Sequence, residues 1–242
     1  MTGLLSDVRL AFRQLRTQPL FAAAAILSLG LGIGLNVAVF SVIDGVLLRP
    51  SPIADPDRVV MVWETDRGSG TTREPASLPD ALDFQARTRT LGELAVILAG
   101  ERNLVPPAGD PVRLASLQVS PTFLPLLGLA PLTGRGFTEA DADAGTAAII
   151  SESLWTRMFD RRPDIVGRTI RLDDRPFEIV GVLGTGADFG ILQVLGSAAY
   201  ARSFADRGVR QHVDVWTPLG RDTDAFPRAT HPFFVLDGWR PA

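Results

Sequence analysis

Between Pro19 and Ile43 the chain reads PLFAAAAILSLGLGIGLNVAVFSVI, about 25 residues without a charge, where a hydrocarbon core of roughly 30 Å needs about 20 helical residues. No other stretch limits the fold as strongly. A helix buried in a soluble domain keeps a polar stripe and runs shorter. A cleaved secretory leader has an apolar region of about 7–15 residues followed by a small-x-small site, and Ile43-Asp44-Gly45-Val46 makes a poor one. The run is expected to be a transmembrane helix.

Its flanks orient it. Arg9, Arg13 and Arg16 stand before it against Asp7, while Asp44, Asp55 and Asp57 follow it against Arg49 and Arg58. The positive-inside bias then puts the N-terminus in the cytoplasm and everything beyond about Asp44 outside. Within the run, Gly30 and Gly34 form a G-x-x-x-G pair, and Ser28, Gly32 and Asn36 are read as a neighbouring strip. Lipid gives no reward to glycine, whereas a second helix can approach closely over it and can pair with the Asn36 amide. These five residues are the candidate helix-packing surface.

Upstream, Leu5, Val8, Phe12 and Leu15 recur at helical spacing with Arg9, Arg13 and Arg16 turned elsewhere. This pattern predicts an amphipathic helix at the cytoplasmic face, placed to meet lipid headgroups or a partner helix. Thr17-Gln18-Pro19 ends it. The expected organisation is a cytoplasmic amphipathic helix over residues 1–18, a transmembrane helix over 19–48 and a domain on the far side over 49–242.

About 190 residues follow the membrane run, enough for one large or two small domains with a real core. Cysteine is absent, which removes disulfides and thiolate chemistry. All 24 basic residues are arginine, so the chain holds no Walker A lysine and no Schiff-base lysine. If ATP is involved, another polypeptide binds it. The net charge of −3 and the lack of a basic block argue against nucleic acid as a partner.

Strands are expected over residues 58–63, 112–119, 147–150, 168–172, 177–183 and 214–219, the fourth and fifth joined as a hairpin through Asp173-Asp174-Arg175-Pro176. Pro218 suits an edge for the last of them. Helices are expected from Ser77 to about residue 89, from a Ser120-Pro121 cap to Leu127 with Gly128 as the stop, and from a Ser151 cap to about residue 159. Residues 91–99 fit either helix or strand. Without regular βαβ alternation the class is α+β, with Val60, Val62, Leu117, Phe123, Ile149, Trp155, Ile170, Ile179 and Val182 as the expected core.

Motifs that imitate catalytic signatures fail on their details. Gly184-Thr185-Gly186 follows a predicted strand, but Phe189 stands where a dinucleotide loop needs its third glycine. Glu139, Asp141 and Asp143 alternate as calcium ligands do, yet Ala144 and Ile150 occupy the places of the required Gly and Glu, which leaves a solvated acidic turn. His212 and His231 are the only histidines, and no G-x-S-x-G elbow accompanies them. No cofactor, metal or catalytic residue is expected, and the chain is not read as an enzyme.

The string Asp7-Val8-Arg9-Leu10-Ala11-Phe12-Arg13-Gln14-Leu15, then Leu29-Gly30-Leu31-Gly32-Ile33-Gly34, Leu47-Leu48-Arg49-Pro50 and Asp55-Pro56-Asp57-Arg58-Val59 resembles the start of MacB/FtsX-type ABC transporter permeases. The branch it resembles most is that of the large duplicated permeases described from acidobacteria. Pro79-Asp80, Ser120-Pro121-Thr122-Phe123, Gly134-Arg135-Gly136-Phe137, Ile165-Val166-Gly167-Arg168 and Asp214-Val215-Trp216-Thr217-Pro218-Leu219 resemble that family's periplasmic core domain.

The resemblance implies one N-terminal transmembrane helix followed by a mixed α/β MacB-like periplasmic core domain, incomplete at its C-terminus. It also implies a bacterial inner-membrane permease subunit that couples ATP hydrolysis by a separate ABC ATPase subunit to periplasmic conformational change or export. Its partners would be the membrane, that ATPase and another permease chain, as a dimer. The alternative is a stand-alone membrane-anchored periplasmic binding or adaptor module. Two departures stand out: an apolar insertion over residues 190–211, and a chain that stops where the family continues into further spans, as a truncated permease or a gene fragment would.

Overall fold

The computed structural model describes residues 17–43, 53–68, 70–88, 91–107, 109–187, 212–220, 226 and 234–239. The expected amphipathic helix at the N-terminus and the 190–211 insertion lie outside them. The chain divides into two units, Met1–Pro50 and Ser51–Ala242.

The first unit contributes α1, Pro19–Ile43, an unbroken helix. Alanine and leucine dominate its first half, and the glycines and β-branched residues that follow would weaken a helix in water. In hydrocarbon an unpaired backbone amide is far more expensive than such propensity losses, so the helix continues through them.

The second unit is built on a nine-stranded sheet of β1 (Val59–Val62), β4 (Leu91–Val105), β5 (Val112–Val119), β6 (Thr133–Gly134), β7 (Ala147–Ser151), β8 (Thr169–Leu172), β9 (Arg175–Leu183), β10 (Val215–Pro218) and β11 (Phe234–Trp239). A separate hairpin joins β2 (Glu64–Asp66) to β3 (Thr71–Glu74). Four helices accompany them: α2 (Leu78–Arg87), α3 (Phe123–Leu127), α4 (Glu139–Ala144) and α5 (Glu152–Phe159). The strand order is β1-β11-β4-β5-β10-β7-β9-β6, with β8 bonded to both β4 and β9. Among the described residues only β5 with β10 and β7 with β9 run parallel. The class is α+β, as expected.

The double bonding of β8 closes a circuit, β4-β5-β10-β7-β9-β8 and back to β4. Alternate residues of its strands feed opposite faces. Ala147, Ile149, Leu117, Val119 and Trp216 join Phe123, Leu124 and Leu127 of α3 in one apolar cluster. Ala148, Ile150, Leu114 and Val215 join Leu154 of α5 with Ile170, Leu172, Phe177 and Ile179 in another. β7 is buried at every position, which is why Ala147-Ala148-Ile149-Ile150 carries no polar alternation. Each fully buried leucine or isoleucine contributes about 1.5–3 kcal/mol relative to an exposed one.

Capping explains where the helices start. The Ser77 hydroxyl accepts the Asp80 amide and opens α2; the Ser151 hydroxyl accepts the Leu154 amide and opens α5. Thr138 and Asp141 exchange side-chain and backbone bonds as a capping box. That box turns the supposed acidic turn into α4, with Glu139 and Asp141 in the first turn, where the helix dipole rewards a carboxylate.

Other expectations change. Residues 91–99 are strand, and the strand continues to Val105. The Ser120 hydroxyl does not cap α3: it accepts the Val96 amide of β4, and Thr122 takes the cap position. β10 is neither an edge nor the last strand, since it lies between β5 and β7 and β11 follows it. Pro218 is tolerated because β7 pairs only with Val215 and Trp216, so the missing amide falls beyond that ladder. Val60 is 37% exposed on edge strand β1, and Trp155 is half-buried at the rim of its cluster. The indole of Trp155 donates to the Arg162 carbonyl, and Arg161 covers its ring.

Candidate functional site

At about 1.5 Å per residue, α1 is long enough to cross roughly 30 Å of hydrocarbon. The span Pro19–Ser41 has a mean hydropathy of 2.1, and among its residues Ala22 alone is buried. Leu20, Phe21, Leu31, Leu35 and Phe40 are all largely exposed, so the helix is open over nearly all of its surface. In water such a surface is untenable; in a bilayer it is at home.

A Cβ added at Gly30, Gly32 or Gly34 meets nothing within 4 Å. None of the three is required by contacts inside the described chain, so their smallness is left facing outward. The Asn36 side-chain amide donates to the Gly32 carbonyl at 2.8 Å. That bond uses one of its two N–H groups and leaves its carbonyl oxygen for something else.

The helical repeat revises how these residues are grouped. At about 100° per residue, Gly34 stands about 40° from Gly30, whereas Gly32 stands about 200° away. Ser28, Gly32 and Asn36 follow one another in steps of about 40° on that far side. The two strips are therefore back to back and not adjacent. One is glycine alone; the other couples a glycine to a hydroxyl and an amide. Nothing in the described residues bears on Leu5, Val8, Arg9, Phe12, Arg13, Leu15 and Arg16, the expected membrane-surface group.

The second unit begins with a joint that the sequence did not advertise. Ile53 packs on the α3 cluster, and the Ala54 amide donates to the Leu127 carbonyl at 3.1 Å. Gly128, at φ +65°, closes α3; a Cβ there would lie 2.5 Å from the Ala54 Cβ. The glycine thus serves both the left-handed turn and the close approach of the incoming chain.

The ionic groups of this unit hold structure together. Asp214 is buried; one of its oxygens accepts the Ala115 amide and the other accepts Arg157 at 3.0 Å. These bonds tie β10 to β5 and α5. Asp141 accepts from Arg135 and from the Thr138 amide and hydroxyl, and the Arg135 guanidinium above all holds its pKa down to about 2. Glu152 is also lowered, first by the Thr185 hydroxyl and amide and then by Arg161. Carboxylates so occupied are poor bases.

Among the described residues no three His, Cys, Asp or Glu side chains gather as a metal would need. His212 is exposed, and His231 lies outside the described residues. A cleft of about 210 Å³ is lined by Asp55, Arg58, Val59, Gly92, Glu93, Leu126 and Gly238. Its charged residues are exposed, and it is smaller than the roughly 300–1,000 Å³ typical of small-molecule pockets. The arrangement offers surfaces and a scaffold.

Comparison with known proteins agrees with this geometry. Residues 22–230 match the family described as MacB-like periplasmic core domain. A domain assigned to a permease protein from Porphyromonas gingivalis is similar in structure, with TM-score 0.54, 17% identity, and coverage of 80% of this chain and 78% of that one. The extracellular domain of the noncanonic ABC-type transporter YknZ from Gram-positive bacteria has TM-score 0.51 and 13% identity over 76% of this chain and 84% of its own. At these identities the likeness is one of fold. No curated protein matches the sequence.

Proposed function

The chain belongs to the family of MacB-like periplasmic core domains, and on that premise we propose that it is the N-terminal portion of a permease subunit of an ABC transporter. In this reading residues 1–18 lie at the cytoplasmic face of the bacterial inner membrane, 19–48 cross it and 49–242 form the periplasmic domain. In this reading a separate ATPase subunit supplies the energy, and residues 1–242 contain no lysine to grip a triphosphate. Its product is movement in the periplasm that drives export.

The observation that carries the proposal is α1, an apolar helix exposed over nearly all of its length and carrying small residues on two opposite sides. A lone anchor needs neither strip. A helix between two neighbours, one from its own permease and one from a second permease chain, uses both. Helix–helix contact of this kind passes a displacement from the ATPase side to the domain without any chemistry in the chain itself.

The test separates the two strips. G30L/G34L and G32L/N36L each keep the hydrophobicity that insertion needs while blocking close backbone approach on one side. Each variant is expected to insert into the membrane normally and to lose co-purification with the ATPase subunit or the second permease chain. If wild type captures no membrane partner, or if both variants capture partners as well as wild type does, α1 is only an anchor. The chain is then better read as a membrane-anchored binding or adaptor module.

A further inference from the structure

The circuit β4-β5-β10-β7-β9-β8 is not equally strong all round. β4 and β5 are in register from Ile97 with Val119 to Leu104 with Val112. β7 and β9 run together from Ala147 with Glu178 to Ser151 with Leu183. The contact between β7 and β10 is brief, but every residue of both strands is buried. It is reinforced by the Ser151 amide, which donates to the Asp214 carbonyl. The seam between β4 and β8 is equally brief, Leu104 with Leu172 and Val105 with Arg171, and its outer end faces solvent.

One residue completes that seam. The Asp173 amide donates to the Asn103 carbonyl at 2.9 Å, and the Asn103 amide returns a bond of 2.9 Å to a carboxylate oxygen of Asp173. In a regular antiparallel pair both bonds run between main chains. Here the chain has already turned, with Asp173 at φ +47° and Asp174 at φ +65°, so the side chain takes the place of the carbonyl. The same carboxylate also accepts the Asn103 side-chain amide at 3.0 Å and Arg102 at 3.3 Å. Arg102 in turn lies over the Phe177 ring. Directly behind this exposed group stand Leu104, Leu172 and Phe177, all buried.

We infer that Asp173 is a latch and that β8 and the tip of the β8–β9 hairpin, up to Phe177, open from β4 at this seam ahead of the rest of the domain, while β9 from Glu178 onward stays bonded to β7. Solvent reaches the latch, the ladder behind it is short, and the other strand contacts of the circuit are longer or wholly buried. Local opening concentrates where few protected backbone bonds hold an element. Opening uncovers the apolar strip of Leu104, Leu172 and Phe177, giving the domain two arrangements of one hairpin. The inference stands on the seam alone and does not depend on the proposed transport role.

The chain has no cysteine, so a single one is a unique reporter. Leu172→Cys places a thiol behind the latch, and Ile149→Cys places one in the opposite cluster. In the full chain held in detergent micelles, the thiol at 172 is expected to react with a maleimide at least ten times faster than the thiol at 149. Adding Asp173→Ala should speed labelling at 172 by about ten-fold or more and leave 149 unchanged, with Asp173→Asn falling between. Native-state hydrogen exchange gives the same reading without a core substitution: the Asn103 and Asp173 amides exchange faster than those of Ala115 and Asp214. Equal labelling of 172 and 149, equal acceleration of both by Asp173→Ala, or equal exchange of the two amide pairs would each overturn the latch.

Discussion

Gly181 faces the main chain of Thr133 and Arg135, and adding one methyl group there tests how the edge of the sheet is held. A Cβ at this position would lie 2.5 Å from the Arg135 carbonyl oxygen and 3.4 Å from both the Arg135 nitrogen and the Thr133 oxygen. Every one of these atoms is main chain, so no side chain can swing aside. An ordinary carbon–oxygen contact is about 3.3 Å or more, so β6 must retreat by roughly 0.8 Å. That movement stretches the bonds from the Leu132 amide to the Val182 carbonyl, 2.8 Å, and from the Arg135 amide to the Val180 carbonyl, 2.9 Å, past the usual limit of about 3.2 Å.

Two lost bonds at about 1 kcal/mol each, with an overpacking term of about 1–3 kcal/mol, put Gly181→Ala at roughly 3–5 kcal/mol. For a domain of this size that is a fall in Tm of roughly 6–20 °C. Gly184→Ala is the matched control. The three atoms nearest its Cβ would all belong to the Leu132 side chain, the first at 3.4 Å, and Leu132 is 57% exposed and free to move. Urea unfolding of the full chain in micelles, followed by tryptophan fluorescence, to which buried Trp216 contributes, measures both. If Gly181→Ala falls within about 0.5 kcal/mol of wild type, the close approach of β6 to β9 is wrong.

Further outcomes are expected from the same assay. Asp141, held near pKa 2 against an ordinary 3.8, contributes stability that is fully present above about pH 5 and is lost as pH falls through 4 toward 2. Arg135 is half exposed, so this amounts to only about 1 kcal/mol, and Asp141→Asn should flatten that part of the acid profile. Ser77→Ala, which removes the α2 cap, should destabilise by about 1 kcal/mol. Ile149→Ala should cost about 2–5 kcal/mol. Val60→Ala should stay within about 0.5 kcal/mol, and a large loss there would mean that the β1 edge is covered.

Much of this architecture is legible in the amino-acid sequence because it rests on local rules. Ser77 and Ser151 announce their helices by hydroxyl-to-amide bonds three residues long, Gly128 announces a left-handed stop, and Asp173-Asp174 announces a turn with both residues at positive φ. What stays hidden depends on partners far away along the chain. Val215 and Trp216 form a central strand only because β5 and β7 flank them. Ser120 leaves its helix unserved because Val96, 24 residues earlier, claims its hydroxyl. Val60 alternates like a core residue but lies on an edge. The candidate packing surface is legible as composition, while its division into two opposite strips follows only from counting 100° steps around an unbroken helix.

Where the second unit lies is decided by one labelling experiment. Thr156 is exposed on α5, and the chain has no other thiol, so Thr156→Cys can be treated with a membrane-impermeant maleimide in intact spheroplasts and again after lysis. A periplasmic domain carried by α1 with its N-terminus inside predicts full labelling before lysis and no gain afterwards. Labelling that appears only on lysis would put the domain in the cytoplasm and contradict the orientation on which the proposed permease role depends.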